Sequence, residues 1–190
     1  MKSVKKISGL YLLLLAFITS CGNNAVLDQG TAADIVTDYL KTNPVYETEK
    51  LQLGELKFKS KSDKTELAKY KELEQKGFVD MELQEQKKKF LSKDSAYVYL
   101  VSLTDKSKPF VLKQEENKAT VKVIEYALDE DKPVNVDKSN NKTAKVTVML
   151  KKVKNAFSVF YKDRNTGSSF ITKTLKLKFK KESGWTVSGE

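Results

Sequence analysis

Ala144-Lys145-Val146-Thr147-Val148-Met149-Leu150 and Leu175-Lys176-Leu177-Lys178-Phe179-Lys180 are the stretches whose reading decides the fold. In the first, Ala144, Val146, Val148 and Leu150 alternate with Lys145, Thr147 and Met149. In the second, Leu175, Leu177 and Phe179 alternate with three lysines. Successive side chains of a strand point to opposite faces, so period-two patterning with lysine on the open side predicts an antiparallel sheet covered on one face only. From residue 118 onward the same logic places strands at 119–128, 143–153, 156–162, 169–180 and 184–188. Their separators are turn-like: Asp129-Glu130-Asp131-Lys132-Pro133, Lys138-Ser139-Asn140-Asn141, Asp163-Arg164-Asn165-Thr166-Gly167 and Lys181-Glu182-Ser183-Gly184.

Working back toward the N-terminus, the pattern mixes helix with strand. Thr31 is the expected cap of a first helix, with Asp34 in its first turn and Ile35, Val36, Tyr39 and Leu40 on one face. Asn43-Pro44 stops it. Residues 45–59 read as extended, with the alternation changing phase at Gly54-Glu55 between Leu51/Leu53 and Leu56/Phe58, which predicts a bulge or bend. A second helix is expected over 64–76, with Asp63 as N-cap, Leu67, Tyr70 and Leu73 as its stripe, and Gly77 as its stop. A strand over 78–83, a polar turn over 84–89 and a strand over 96–103 follow. The fold class read from this is α+β: two short N-terminal helices, then a C-terminal antiparallel sheet.

The first residues carry a different message. Lys2, Lys5 and Lys6 precede the apolar run of residues 7–18, and Ile18-Thr19-Ser20-Cys21 closes the segment. A charged start, a short apolar stretch and small residues at the junction are the layout of a secretory signal. The run is too short for a membrane span, which needs about 20 apolar residues. With cysteine at the junction the segment resembles a bacterial lipoprotein signal. The resemblance implies cleavage after Ser20 and lipidation of Cys21, which anchors the chain to a membrane. The chain as a whole resembles the small lysine- and asparagine-rich lipoproteins of Bacteroidota. Gly22 is not the aspartate that retains many proteobacterial lipoproteins at the inner membrane, and no acidic export stretch follows Cys21. The resemblance therefore implies a cell-envelope location, with the periplasmic face of the outer membrane favoured.

The expected organisation is a signal peptide over 1–20, an anchor and tether over 21–30, an α+β region over 31–117 and a β region over 118–190. The last two stay open between one domain and two. Within 31–117, Leu73-Glu74-Gln75-Lys76-Gly77-Phe78-Val79 and Tyr99-Leu100-Val101-Ser102-Leu103-Thr104-Asp105-Lys106-Ser107 resemble the helix end and second wing strand of a winged helix. Ser107 stands where that family has Gly, and Pro109 shortens any helix beyond it. Outside the cytoplasm the resemblance implies a protein-binding scaffold rather than DNA binding. The C-terminal meander, closing on Ser183-Gly184-Trp185-Thr186-Val187, is similar to the sheet of cystatin-like or NTF2-like domains.

Composition excludes several chemistries. The chain has no histidine, which removes Ser-His-Asp and Cys-His catalysis and histidine-ligated zinc. Cys21 is the only cysteine, so no disulfide and no thiolate metal site follows within one chain. The eight glycines are scattered and form no phosphate-cradling loop. Asp129, Glu130 and Asp131 are the densest acidic group but lack calcium-loop spacing, and read as a solvated turn. Glu72 and Glu74 read as the outer face of the second helix, while Glu82 and Glu85 lie around a strand end. No catalytic residue, metal or cofactor is expected.

The formal charge is +10, of which Lys2, Lys5 and Lys6 leave with the signal. Lys87-Lys88-Lys89, Lys151-Lys152-Lys154 and Lys176/Lys178/Lys180 are the basic clusters. Tyr97, Tyr99, Phe157, Phe160 and Tyr161 lie among the strands and read as core. Asp94-Ser95-Ala96 resembles the acceptor of Bacteroidota O-glycosylation, which implies an exposed, modified Ser95. Asn141-Lys142-Thr143 fits an N-glycosylation pattern that carries little meaning in a bacterial envelope. The function expected is a non-enzymatic, lipid-anchored binding or accessory module. Its partners would be the membrane through Cys21, and an envelope protein or an anionic polymer, with no nucleic acid. The rival is a carboxylate-dependent hydrolase of envelope glycans, which needs two inward-facing acids in a cleft.

Overall fold

The computed structural model describes residues 26–59, 61–88, 95–162 and 167–190. The fold is α+β and dominated by antiparallel strands. Helix α1 (Gln29–Thr42) leads into β1 (Val45–Gln52), β2 (Gly54–Lys59), α2 (Lys64–Gln75), β3 (Val79–Lys88) and β4 (Ser95–Leu103). A 3-10 turn (Asp105–Phe110) then precedes β5 (Val111–Glu115), β6 (Lys118–Leu128), β7 (Asn135–Asn140) and β8 (Thr143–Lys154). A second 3-10 turn (Ala156–Phe160), β9 (Phe170–Lys180) and β10 (Gly184–Gly189) complete the order.

Seven strands form one sheet in the order β1-β6-β8-β9-β10, with β5 also on β6 and β7 also on β8. Partner strands change along β6 and β8. Lys118 to Val121 of β6 lie between β1 and β5, whereas Ile124 to Leu128 meet β8. The register opposite Glu47 and Thr48 passes from Ile124 to Lys122, so Val123 is an inserted residue. That bulge lets adjacent Val123 and Ile124 both point inward, and each is fully buried. Staggered partners and the bulge together curl the sheet into a half-barrel.

The alternation read from residues 143–150 and 175–180 holds. Ala144, Val146, Val148, Leu150, Leu175 and Leu177 are buried, and Lys145, Lys176 and Lys178 are exposed. Each buried Val or Leu contributes about 1.5–3 kcal/mol relative to exposure. Helix α1 lies against β6 and β10 on the covered side, through buried Ala32, Val36 and Leu40. Its cap is Asp28, not Thr31: the Asp28 carboxylate accepts the Thr31 N–H at 2.7 Å. Leu27, expected in the tether, is 2% exposed, so residues 27–30 belong to the fold.

The phase change at Gly54 marks the passage from one sheet to another. β1 ends in the large sheet, and β2 begins a three-stranded sheet of order β2-β4-β3. Gly54 has φ +80°, which favours a residue without Cβ, and the preceding Leu53 N–H donates to Asn117 O at 2.9 Å. Asp63 precedes α2 without capping it. Its carboxylate turns back to accept Lys59 N–H at 2.8 Å and the Ser62 hydroxyl at 2.8 Å.

At the other end of α2, Gly77 at φ +73° donates to Glu74 O, and Phe78 N–H reaches Leu73 O at 2.9 Å. That is the Schellman arrangement. The Thr104–Ser107 segment closes over it: Thr104 Oγ1 donates to Gly77 O at 2.7 Å, Lys106 Nζ to Lys76 O at 2.7 Å, and buried Ser107 Oγ to Phe78 O. The Leu103-to-Ser107 motif is thus a latch on the end of α2.

Three further sequence expectations need correction, and one strand has no counterpart in the sequence reading. Residues 84–88 continue β3 rather than turning, because β4 supplies partners out to Lys88 through a bulge between Leu83 and Glu85. Residues 138–140 belong to β7, paired with β8, although nothing apolar marks them. β5 is a short, mostly exposed strand that the apolar pattern does not reveal. Residues 156–160 form a 3-10 turn rather than a strand. Asn155 sets that turn, with Oδ1 accepting Phe157 N–H at 2.9 Å and Nδ2 donating to Lys122 O at 3.0 Å.

Three-residue spacing in that turn aligns Phe157 and Phe160 on one side. Phe157 meets Phe78 and Phe110, and Phe160 meets Tyr70, with ring centroids 5.1–5.8 Å apart. Tyr70 also packs on Phe58 and donates to Gln52 O at 3.0 Å. This aromatic wedge joins the small sheet and α2 to the large sheet, and one buried cluster runs from Leu27 to Trp185 through both halves of the chain.

Candidate functional site

The open face of β8–β9–β10 is built by the alternation that fills the core on the other side. Lys145 stands opposite Lys176, Thr143 opposite Lys178, and Thr147 opposite Thr174, whose hydroxyls are 3.0 Å apart. Thr186 flanks Lys178 on β10, and Lys180 ends the row beside Gly184. Lysines two apart on a strand are spaced about 6.8 Å, and neighbouring strands about 4.8 Å. Like charges directly opposite each other destabilise a sheet. Here neutralisation is sparse. Lys176 Nζ donates to the Glu190 backbone carbonyl at 3.2 Å, and Asp137 lies opposite Lys145 on β7. Among the described residues no carboxylate comes within 4 Å of the Lys145, Lys178 or Lys180 ammonium. By contrast Lys173, which faces inward, is paired with Glu190 at 2.8 Å, and that bond holds the Glu190 carboxyl below the usual range.

A second basic feature was not read from the sequence. The outer face of the three-stranded sheet carries a cavity of about 480 Å³, walled by Lys57, Lys59, Lys61 and Lys87 with Ser62, Ser95 and Ala96. Lys57 and Lys59 alternate with the inward Leu56 and Phe58, which is the signal available in the sequence. Their neighbour Lys87 arrives only through the β3–β4 register, where Ala96 pairs with both Lys59 and Lys87. Ser95 is half-buried in this wall.

On the concave side of the large sheet, Glu47 Oε1 accepts the Tyr126 hydroxyl at 2.6 Å and the Tyr161 hydroxyl at 3.2 Å. Lys152 Nζ donates to the Tyr161 hydroxyl oxygen at 2.8 Å. Glu47 and Glu49 share one face of β1, two residues apart, so they sit side by side rather than facing each other across a cleft.

Other sequence candidates resolve into structure. Glu72 pairs with Lys76 at 2.6 Å and Glu74 with Lys71 at 2.9 Å on the outer face of α2. Glu85 pairs with Lys87 at 3.0 Å, and Glu82 is exposed on β3. Asp129 lies 3.8 Å from Lys151, and no group of three potential metal ligands occurs among the described residues. Tyr97 and Tyr99 stack on each other beside α2, with Lys71 Nζ 4.6 Å from the Tyr99 ring. Phe157 and Phe160 are core, though on a turn rather than a strand. Asn141 is exposed in the β7–β8 turn. Ser20, Cys21 and Lys89 lie outside the described residues. Among those described, no helix is long and apolar enough to cross a membrane. Set against known proteins, the chain matches no family model, no curated protein and no solved structure.

Proposed function

We propose that this chain is a lipid-anchored protein of the cell envelope that acts as a non-enzymatic binding module, holding an anionic polymer against the open face of β8–β10. The observation that carries the reading is the lysine row itself: Lys145, Lys178 and Lys180 have no described carboxylate within ion-pairing distance, and Lys145 directly opposes Lys176. A linear polyanion laid across the row relieves that repulsion. The Met1 to Cys21 segment supports the anchor, with Cys21 as the lipidated residue and the periplasmic face of the outer membrane as its place. Two or more acyl chains on one cysteine hold a protein stably where a single chain does not.

Support for a winged-helix-like element in residues 54–103 comes from the β2–α2–β3–β4 order and the β2–β4 pairing. A curled sheet with α1 against its covered side supports the cystatin-like or NTF2-like likeness. Against the hydrolase rival stands the side-by-side placement of Glu47 and Glu49.

Metabolic labelling with palmitate and membrane fractionation test the anchor. Wild type should take up label and remain with membranes, whereas Cys21→Ala should take up none. Any unlabelled protein held by polymer should elute from envelopes at high salt. A Cys21→Ala protein labelled like wild type rejects the anchor, and an envelope-bound portion that resists 1 M salt rejects the electrostatic grip.

A further inference from the structure

We propose that the cavity on the outer face of the three-stranded sheet is a binding site for a compact anion carrying two or more phosphate charges, separate from the lysine row of β8–β10. Its construction begins with a small residue. Ala96 pairs with Lys59 on one side and Lys87 on the other, so both lysines flank a position with almost no side chain. Their backbones lie two strand spacings apart, about 9.5 Å, which leaves a trough above Ala96. Lys57 continues the row along β2, and Lys61 closes the end beyond β2.

Val98 faces the same side as Lys57 and is only 8% exposed, yet it does not belong to the main core cluster. The resulting cavity, about 480 Å³, falls within the ~300–1,000 Å³ range of small-molecule sites.

Charge and donor type select the ligand class. Four lysines contribute to the lining of one cavity. Glu85 pairs with Lys87 at 3.0 Å, and Asp63 is engaged by the Lys59 N–H and the Ser62 hydroxyl. The described wall contains no arginine, so the planar fork that recognises a single carboxylate is missing. Lysines act as point charges and suit phosphate oxygens from several directions. The same chemistry is offered by a free polyphosphate and by the phosphomonoester of a lipid headgroup.

Calorimetric titration of the full-length protein in detergent distinguishes these sources, with sodium tripolyphosphate in one arm and glycerol 3-phosphate in the other. Saturable binding is expected in at least one arm, and the tighter arm identifies the source. The paired variant Lys57→Gln/Lys59→Gln should weaken binding at least tenfold. Ala96→Leu, which keeps every charge but fills the trough, should do the same. Lys178→Glu/Lys180→Glu should leave this binding unchanged while abolishing the grip on a polymer, so failure of one site is distinguishable from failure of the other. Should Ala96→Leu not fold, the exposed Lys57 and Lys59 positions still decide the matter. Absence of binding in both arms, or binding that Lys57→Gln/Lys59→Gln retains in full, overturns the proposal.

Discussion

Substituting Tyr70 separately by Phe and by Ala tests the joint between the two sheets. Tyr70 is 1% exposed, with its ring 5.6 Å from that of Phe58 and 5.1 Å from that of Phe160. Its hydroxyl donates to Gln52 O at 3.0 Å. Tyr70→Phe removes only that bond, so the cost should be about 1 kcal/mol. Tyr70→Ala removes the ring from between Phe58 and Phe160 and leaves a cavity, for which about 3–5 kcal/mol is expected. For a chain of this size each kcal/mol lowers the melting temperature by about 2–4 °C, so the two variants should separate clearly by calorimetry and urea unfolding.

The pH axis gives an independent check on Tyr70. Burial, with the nearby Glu66 charge, pushes the Tyr70 hydroxyl well above its ordinary value of 10.0, although the bond to Gln52 O opposes this. The unfolded chain therefore loses this proton near pH 10 while the folded chain keeps it, and stability falls as pH rises beyond that point. Tyr70→Phe should flatten that alkaline decline. A Tyr70→Ala protein within 1 kcal/mol of wild type, or a Tyr70→Phe protein as weak as Tyr70→Ala, would refute the wedge.

Two further predictions concern helix ends. Gly77→Ala forces a side chain into φ +73°; nothing lies within 4 Å of the added Cβ, so the cost is backbone strain alone, about 1–2 kcal/mol by urea unfolding. An unchanged midpoint would deny the left-handed stop. The Thr31 N–H holds the Asp28 carboxyl below its usual range, so its contribution is present above the ordinary carboxylate value and lost as pH falls through the lowered one. Asp28→Asn should reduce the acid sensitivity of thermal stability, and an acid limb identical to wild type would contradict that role.

The elements legible in the sequence were those whose side chains alternate against a single core. β8 and β9 could be read directly because one face is lysine and threonine and the other aliphatic. The phase change at Gly54 was visible too, but its meaning was not: only the pairing of β1 with β6 and of β2 with β4 makes it a crossing between sheets. β7 and the outer part of β3 were hidden because both are exposed, and their hydrogen bonds are backbone bonds that leave no hydrophobic pattern. Phe157 and Phe160 suggested a strand, and the Asn155 side chain instead set a turn that local periodicity does not encode.

Candidate sites divide in the same way. The lysine row of β9 follows from one segment, so sequence alone finds it. The lysine cavity needs Lys57, Lys59 and Lys87 brought together across Ala96 by long-range register, and no local spacing announces that.

The most direct test of the binding account is the affinity of the full-length protein, in detergent, for heparin as a linear polyanion probe, measured from 0.1 M to 1 M salt. Over that range the screening length shrinks from about 10 Å to about 3 Å, so contacts made by exposed ammonium groups must weaken. The account predicts an affinity that falls at least tenfold across the range. It also predicts that Lys145→Glu/Lys178→Glu/Lys180→Glu loses binding at 0.1 M while keeping a cooperative melt. Binding that is indifferent to salt, or that the triple variant retains, contradicts it.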